Sequence, residues 1–236
     1  MDKTIKFKLN KIINKVINKT IKTIKTINKT INNNMNYPKL VVLISGNGSN
    51  LQAIIDSTHR INPNITIRAN VVAVISNRKK AYGLERARKY NIPAIYLPFK
   101  SKKMDRIEYD KSLANEISKF KPDLIILAGW MHILSNEFLK IHRRVINLHP
   151  ALPGEFPGKD AIGMAYQAFK EGKTKRTGAM VHWVIPELDA GEPLETIKIP
   201  ILNNDSENDL RKRVQYYEKE LLLKSINKVL LNNLYP

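Results

Sequence analysis

The feature that most constrains the fold is an apolar run that leads into a glycine-rich turn and then into a helical pattern. Residues 40–44 read Leu-Val-Val-Leu-Ile, as expected for a strand buried on both faces of a parallel sheet. Residues 45–50 read Ser-Gly-Asn-Gly-Ser-Asn, and Leu51, Ile54 and Ile55 follow at helical spacing. This order is typical of the first β-α unit of an open α/β sheet.

The same alternation continues along the chain. Apolar runs predict further strands, and amphipathic stretches predict helices between them. The predicted strands are 71–75, 94–97, 124–128, 145–149, 177–185 and 194–201. The predicted helices are 81–90, 105–120, 161–170 and about 206–229. The sequence therefore predicts an α/β fold, a doubly wound, mostly parallel, Rossmann-like sheet with a long C-terminal helix, in a domain covering 38–236.

Residues 1–34 differ from the rest, because they are built almost entirely from Lys, Ile, Asn and Thr. Apolar residues recur at helical spacing from Leu9 to Ile31, opposite lysine and asparagine. An amphipathic basic helix suits an organelle transit peptide or a membrane-surface segment, but the stretch has no arginine and no serine. A disordered tail is the other interpretation. We expect a cytoplasmic protein, with a mitochondrial or other organellar location as the alternative.

The net charge of +19 is unevenly distributed, since nine lysines and one aspartate give residues 1–34 a net +8. The remaining +11 suits either nucleic acid or phosphorylated small substrates. No aromatic residues interleave a basic stripe, as stacking on nucleic acid would need. No run is long enough to cross a bilayer. The absence of cysteine excludes disulfides, thiolate metal sites and a cysteine nucleophile.

The glycine-rich turn predicts a phosphate site at the start of the first helix. Glycines allow close approach of an anion, and the helix N-terminus supplies free N–H groups; Gly46, Gly48, Ser49 and Asn50 fit this pattern. The third glycine of a dinucleotide fingerprint is replaced by Leu51, and the lysine of a P-loop is absent. We therefore expect one phosphate of a small molecule, with a tight turn that binds nothing as the alternative.

The predicted strand 145–149 carries a polar pair at its carboxyl end. Asn147 and His149 alternate with apolar neighbours and share one face, and Pro150 ends the strand. Ligands of open α/β sheets bind at this edge, and histidine transfers protons near neutral pH. Asp189 is the best candidate to hold the imidazolium form of His149, although an aspartate in such a loop often forms only an Asx turn. A polar pair that only caps a loop is the other interpretation of this strand end.

Other catalytic chemistries find little support. His132, His142 and His182 are interpreted as structural or surface residues. No group of histidine, aspartate and glutamate has the spacing of metal ligands, so no metal is expected. The Gly-x-Ser-x-Gly sequence of serine hydrolases is absent.

Four segments carry a resemblance to a known family: 41–55, 127–131, 146–150 and 187–189. In order and in residue type they resemble the phosphoribosylglycinamide formyltransferases, and the similarity runs from about Lys39 to the C-terminus. This resemblance implies transfer of a formyl group from 10-formyltetrahydrofolate to the amine of 5′-phosphoribosylglycinamide, a step of de novo purine (IMP) biosynthesis. It also implies small-molecule substrates, no nucleic acid, no metal, and a monomer or weak homodimer.

The resemblance further implies roles for individual residues. The catalytic residues would be Asn147, His149 and Asp189. The phosphoribosylglycinamide site would contain Gly48, Ser49, Asn50, Gln215 and Glu218. The 10-formyltetrahydrofolate site would contain Arg106, Met131, His132, Ile133, Leu134, Asn147, Ile185, Pro186, Glu187, Leu188 and Asp189. In the implied mechanism, the amide of Asn147 and a protonated His149 donate to the oxyanion, while Asp189 keeps His149 charged and oriented.

Some residues depart from the family pattern. His132 replaces an arginine found in many members, and Trp130 is bulkier than the usual phenylalanine or tyrosine. Two other formyl-group enzymes are alternatives. A methionyl-tRNA formyltransferase is expected to carry a further C-terminal β-domain, and a formyltetrahydrofolate hydrolase a small domain before the first strand. A non-catalytic nucleotide-binding module is the alternative from another class.

Overall fold

The structure is a computed structural model that describes residues 37–59, 65–99 and 104–236, together with positions 13, 16, 17, 19, 20 and 23. Pro38–Pro236 form one compact unit. The prediction of a disordered tail or an amphipathic helix for residues 1–34 lies outside the described residues, apart from those single positions.

The compact unit contains seven strands and six helices among its described residues. The strands are β1 (Lys39–Ile44), β2 (Asn70–Ser76), β3 (Ala94–Tyr96), β4 (Leu124–Leu127), β5 (Val145–His149), β6 (Arg176–Trp183) and β7 (Pro193–Pro200). The helices are α1 (Ser49–Thr58), α2 (Tyr82–Lys89), α3 (Arg106–Ser118), α4 (Asn136–Ile141), α5 (Ala161–Lys170) and α6 (Glu207–Leu231). Helix α4 was not predicted, because six residues are too short to establish a helical period.

The strands form one sheet in the order β3-β2-β1-β4-β5-β6-β7. Strands β1 to β5 pair in parallel, whereas β6 and β7 pair antiparallel. The predicted doubly wound, mostly parallel sheet with a long C-terminal helix is therefore confirmed. Its chain reversal between β1 and β4 places the ends of β1, β4 and β5 side by side, at the edge where α/β sheets bind ligands.

Alternation along the strands divides the core between the two faces of the sheet. In β1, Leu40, Val42 and Ile44 pack into one cluster with α1 and the end of α6, while Val41 and Leu43 pack into another with α3. Both faces are covered, which explains why β1 is apolar throughout. The sheet is therefore rigid on both sides where it carries the candidate site.

The same alternation sets the direction of the polar pair in β5. Ile146 and Leu148 belong to the first cluster and Val145 to the second, so Asn147 and His149 follow Val145 on the second face. The predicted separation of polar and apolar side chains along this strand is confirmed.

Helix α6 brings the C-terminal part of the chain back over the sheet. It begins with a capping box, in which Ser206 and Asp209 each bond to the other's backbone N–H. Leu210 and Val214 on its buried face pack against α5 and β7, and Glu218 is buried one turn further on. A carboxyl group therefore enters the interior on an otherwise apolar stripe.

Among the described helices, none combines the length and the apolar character that a membrane crossing requires.

Candidate active site

The site begins with the register between β5 and β6. Asn147 lies opposite His182, and His149 lies opposite Met180, in this antiparallel pair. Side chains of directly opposed residues lie close together on the same face of a sheet. The end of β5 therefore carries two imidazole rings and one amide within contact distance.

A cavity of about 390 Å³ opens at this edge of the sheet. Its wall includes the ends of β4 and β5, the first turn of α1, the 158–159 and 184–189 segments and one face of α6. The polar residues that line it include Ser49, Asn50, His132, Asn147, His149, Lys159, His182, Glu187, Asp189, Gln215 and Glu218. One cavity thus joins segments that are far apart in the sequence.

His149 and Asp189 meet in this cavity, as the sequence analysis proposed. Nδ1 of His149 lies 3.3 Å from Oδ2 of Asp189, and Nε2 of His149 lies 3.1 Å from the carbonyl oxygen of Phe156. The Gly158 N–H donates to the same carboxylate oxygen at 3.0 Å. His149 is only 3% exposed, so this pair is held away from bulk water.

Opposing effects act on the charge of His149. Burial lowers the pKa of His149 below its ordinary value, although the Asp189 carboxylate and the Phe156 carbonyl partly oppose this. Asp189 was expected to keep the imidazolium at rest, and its carboxylate does raise the pKa of His149, against the larger effect of burial. Both ring nitrogens face acceptors, Asp189 at Nδ1 and the Phe156 carbonyl at Nε2, so these contacts favour the protonated ring while burial favours the neutral one.

Asp189 itself stays ionised. Burial alone would raise its pKa, but the neighbouring His182, the Gly158 N–H and His149 together lower the pKa of Asp189 below its ordinary value. Its backbone is in the left-handed region, with φ 51°. Two residues later, a side chain at Gly191 would collide with the Trp183 carbonyl oxygen, at 1.7 Å from the added Cβ. The loop can carry the carboxylate to His149 only because glycine allows this close return to β6.

Asn147 is held between Asp189 and His182. Its Nδ2 donates to Oδ1 of Asp189 at 3.3 Å and to Nε2 of His182 at 3.1 Å. Because Nε2 of His182 accepts, Nδ1 of that ring carries the proton and donates to the Trp183 carbonyl at 2.8 Å. Both N–H groups of the amide are therefore engaged by neighbouring side chains.

The glycine-rich turn lies at the other end of the cavity. Gly48 caps the N-terminus of α1 in the left-handed region with φ 73°, and it supplies no side-chain cap. Its carbonyl oxygen accepts from the Gln52 N–H at 2.9 Å. The N–H groups that start α1 thus remain available to an anion, and Ser49 and Asn50 line the cavity beside them.

Helix α6 completes this end with Gln215 and Glu218, and both line the cavity. Burial raises the pKa of Glu218 to about 7, and an interaction with the Asn50 amide opposes this only in part. Within the described residues, the buried Oδ1 of Asn50 has no hydrogen-bond partner. Buried polar groups are normally paired, so these residues have bonding capacity left for a polar ligand.

The walls between β4 and the 184–189 loop are apolar. They consist mainly of Leu127, Trp130, Met131, Ile133, Leu134, Val184, Ile185 and Leu188. Met131, Ile133 and Leu188 are exposed large apolar residues, which is unusual for a surface without a ligand. This apolar slot also includes the carboxylates of Glu187 and Asp189 in its wall.

Arg106 and His132 meet beside this slot. The guanidinium of Arg106 bonds to Nδ1 of His132 and to the carbonyl oxygen of Ile133, and it pairs with the buried Asp110 at 3.4 Å. Burial, followed by the charge of Arg106, lowers the pKa of His132 below its ordinary value. A neutral imidazole therefore stands where the family pattern often has a second arginine.

Most of the predicted site residues come together. Fourteen of them line the cavity: Ser49, Asn50, Met131, His132, Ile133, Leu134, Asn147, His149, Ile185, Glu187, Leu188, Asp189, Gln215 and Glu218. Gly48, Arg106 and Pro186 do not form its wall. Gly48 and Arg106 instead hold residues that do.

The place of His182 in the site was not predicted, since this residue was interpreted as structural or surface. It is 2% exposed, lines the cavity and contacts Asn147. The register of the β5–β6 pair would have revealed it, but a predicted strand does not specify its partner. Lys159, also in the wall, gave no sequence signal beyond its charge.

No group of side chains among the described residues is arranged to hold a metal ion.

Comparison with known proteins gives a consistent result. The sequence profile of the formyl transferase family matches residues 38–226. The phosphoribosylglycinamide formyltransferase of Schizosaccharomyces pombe is 48% identical over 206 residues, covering 82% of this chain and 98% of its own length. The protein of that name from Escherichia coli is 43% identical over 182 residues, covering 76% and 81%.

Solved structures agree with the sequence relatives. The crystal structure of glycinamide ribonucleotide transformylase 1 from Symbiobacterium toebii aligns with a TM-score of 0.75 and 34% identity, covering 83% of this chain and 89% of that one. The phosphoribosylglycinamide formyltransferase of Coxiella burnetii aligns with a TM-score of 0.75 and 32% identity, covering 85% and 90%.

Proposed function

The chain belongs to the formyl transferase family, and we propose that it transfers the formyl group of 10-formyltetrahydrofolate to the amine of 5′-phosphoribosylglycinamide in purine biosynthesis. The observation that carries the proposal is the single cavity. It joins a buried imidazole–carboxylate pair to an anion-binding helix start on one side and an apolar slot on the other.

The ribonucleotide binds at the α1 and α6 end. Its phosphate accepts from the N–H groups around Gly48, Ser49 and Asn50, where the helix dipole also favours a negative charge. Gln215 and Glu218 bond to the hydroxyl and amide groups of the remaining substrate. Hydroxyl donors suit Glu218, because its buried carboxylate has few partners of its own.

The family implies a folate-type co-substrate, and 10-formyltetrahydrofolate is our specific proposal. The apolar wall around Trp130, Met131, Ile133 and Leu188 receives the ring system, and Arg106 supplies a cation beside the slot for the acidic tail. When bound, this co-substrate supplies the electrophilic formyl carbon. The walls formed by β4 and the 184–189 loop place that carbon beside His149.

The reaction requires one proton to leave the attacking amine and another to reach the leaving nitrogen. Neutral His149 accepts the first proton, and Asp189 stabilises the imidazolium that forms. Nε2 is the nitrogen that Asp189 does not hold, so we assign the transfer to Nε2 after it exchanges the Phe156 carbonyl for the substrate. The same ring then returns the proton to the departing nitrogen.

The oxygen of the formyl group becomes negative when the amine attacks its carbon. An N–H of Asn147 and the protonated ring of His149 donate to that oxygen, and a well-placed donor contributes about 3 kcal/mol in such sites. The bond between Asn147 and Asp189, at 3.3 Å, is the longer of the two bonds made by the amide. We assign the oxyanion contact to the N–H that this bond releases.

We also propose that the substrates are small molecules rather than nucleic acid, that the protein is cytoplasmic, and that it is a monomer or a weak homodimer. The basic charge of the chain outside residues 1–34 suits a phosphate and folate carboxylates.

A formyl-transfer assay on the full chain tests the function. The transferase predicts that folate is released only when phosphoribosylglycinamide is present, with one formylated product for each folate. Equal release without the ribonucleotide would identify a formyltetrahydrofolate hydrolase instead. A folded sample that binds nucleotides but turns over neither substrate would favour the non-catalytic module.

A further inference from the structure

The glycine-rich turn has few side chains to hold its shape. Gly46 and Asn47 are exposed, and Gly48 sits in the left-handed region. An unsupported turn of this kind would sample many conformations, and ordering it on phosphate binding would weaken the affinity. Its support comes from helix α2, which lies against it.

Two consecutive carbonyl groups of the turn bond to α2. The carbonyl oxygen of Gly46 accepts from the Gly83 N–H at 3.2 Å, and the carbonyl oxygen of Asn47 accepts from Nε of Arg86 at 2.9 Å. The fit is close, since a Cβ added to Gly48 would lie 2.8 Å from the Cα of Gly83. The backbone of the turn is therefore in direct contact with the first turns of α2.

Arg86 holds the turn at several points. Besides the Asn47 carbonyl, its guanidinium donates to Oδ1 of Asn47 at 3.3 Å and to Oε1 of Gln52, on α1, at 3.1 Å. The guanidinium carbon also lies 4.9 Å from the centre of the Tyr82 ring. These contacts fix the plane of the guanidinium and link α2, the turn and α1.

The direction of these bonds has a consequence for the free N–H groups. In a trans peptide, the N–H of a residue points opposite to the carbonyl of the residue before it. Because the carbonyls of Gly46 and Asn47 face α2, the N–H groups of Asn47 and Gly48 point away from α2. Backbone N–H groups aligned in this way are the donors that bind phosphate.

We propose that Arg86 is a positioning residue for the phosphate of the ribonucleotide, acting through the backbone of the turn rather than by touching the phosphate. This inference rests on the proposed function. Three N–H groups of Arg86 donate to acceptor atoms of Asn47 and Gln52. The forked shape of the guanidinium group allows one side chain to reach all three acceptors.

The test compares Arg86→Met, Arg86→Lys and Arg88→Met in the full chain. Arg88→Met removes the same charge from the same helix, but Arg88 pairs with Glu85 and does not contact the turn. We expect both Arg86 variants to raise the KM for phosphoribosylglycinamide about tenfold, the effect of losing one charge-assisted hydrogen bond. The KM for 10-formyltetrahydrofolate and kcat should stay within about twofold of the parent in all three.

Each other outcome contradicts the proposal. A normal KM in Arg86→Lys would show that the charge alone matters, and a normal KM in Arg86→Met would show that the turn needs no such support. An equal rise in both substrates' KM values would make Arg86 a general stabiliser of the fold.

Calorimetry with ribose 5-phosphate separates this inference from the proposed function, since binding needs no turnover. Arg86→Met should weaken ribose 5-phosphate binding about tenfold relative to Arg88→Met. Unchanged binding would overturn the inference even if the transferase assay succeeds. Weakened binding would support it even if the transferase assay fails.

Discussion

The two ends of the cavity satisfy their buried polar groups in different ways. At the β5 end, His149, Asp189, Asn147 and His182 bond to one another and to backbone groups. At the α6 end, Glu218 is buried with little to stabilise its charge, and Oδ1 of the neighbouring Asn50 has no partner among the described residues.

This contrast follows the work that each end has to do. A group that transfers a proton needs a fixed direction and a partner for its charged form, so a complete network suits it. A group that binds a substrate hydroxyl needs an unused lone pair, so an incomplete network suits it, at some cost to stability. Substitutions at the first end should therefore reduce turnover, and substitutions at the second end should weaken binding.

The largest effect on turnover is expected at the β5 end of the cavity, where the hydrogen-bond network is complete. Replacing His149 with alanine removes the group that accepts and returns the proton, and general acid–base groups contribute about 10² to 10⁴ in rate. We expect kcat to fall about a thousandfold with little change in the KM for the ribonucleotide, measured by steady-state formyl transfer. A fall in affinity at constant kcat would contradict the division between the two ends.

Asp189→Asn should lower kcat about a hundredfold, because the imidazolium loses its partner. The carboxylate raises the pKa of His149 against the effect of burial, so its removal should lower that pKa further. The reaction starts from the neutral ring, and activity is lost as the pH falls through the pKa of His149. The acid limb of the kcat/KM profile should therefore lie below pH 6.5 in the parent and move to lower pH in the variant. A shift to higher pH would mean that the protonated ring starts the reaction.

Glu218→Gln, at the α6 end of the cavity, should change substrate binding and protein stability in opposite directions. The KM for the ribonucleotide should rise about tenfold, since hydrogen bonds to a charged group are lost. The same substitution should increase the free energy of unfolding relative to the parent, although it weakens binding. The carboxyl group has a pKa of about 7 when folded against 4.5 as its ordinary value, so the parent loses stability as the pH rises from 4.5 through 7.

The glutamine variant has no such titration. Relative to the parent, its free energy of unfolding should therefore increase between pH 5 and pH 8 by on the order of 3 kcal/mol. Urea unfolding at the two pH values measures this difference. An equal difference at both values would show that Glu218 is ionised in the folded protein throughout.

The smallest effect is expected for His182, which acts through Asn147. His182→Leu removes one neutral hydrogen bond and should lower kcat about fivefold. His182→Gln retains an acceptor and should recover most of that loss, which a purely structural role would not predict. Equal activity of the two variants would show that the contact with Asn147 does not orient the amide.

The sequence predicted the fold well because its signals are local. The apolar run at 40–44 and the helix at 161–170 appear within one residue of their predicted bounds. The polar pair Asn147 and His149 was also found locally, since alternation along a strand fixes which side chains share a face.

The rest of the site depends on pairings that no local signal specifies. His182 belongs to it only because β6 pairs antiparallel with β5, at the register that puts residue 182 opposite residue 147. The effect of burial on the pKa of His149 cannot be read from a neighbouring aspartate in the sequence. Arg86 contacts the glycine-rich turn at Asn47, 39 positions earlier in the sequence, and its helix gives no sign of that contact.

The position of α6 links formation of the cavity to folding of the C-terminal part of the chain. Gln215 and Glu218 lie on the last helix of the chain, whose apolar residues also close the core against α1 and the sheet. The proposed ribonucleotide site is therefore complete only once this helix has docked, and a ligand that binds only the docked state favours docking by mass action. We therefore expect a ligand that bridges α1 and α6 to protect the C-terminal helix from proteolysis.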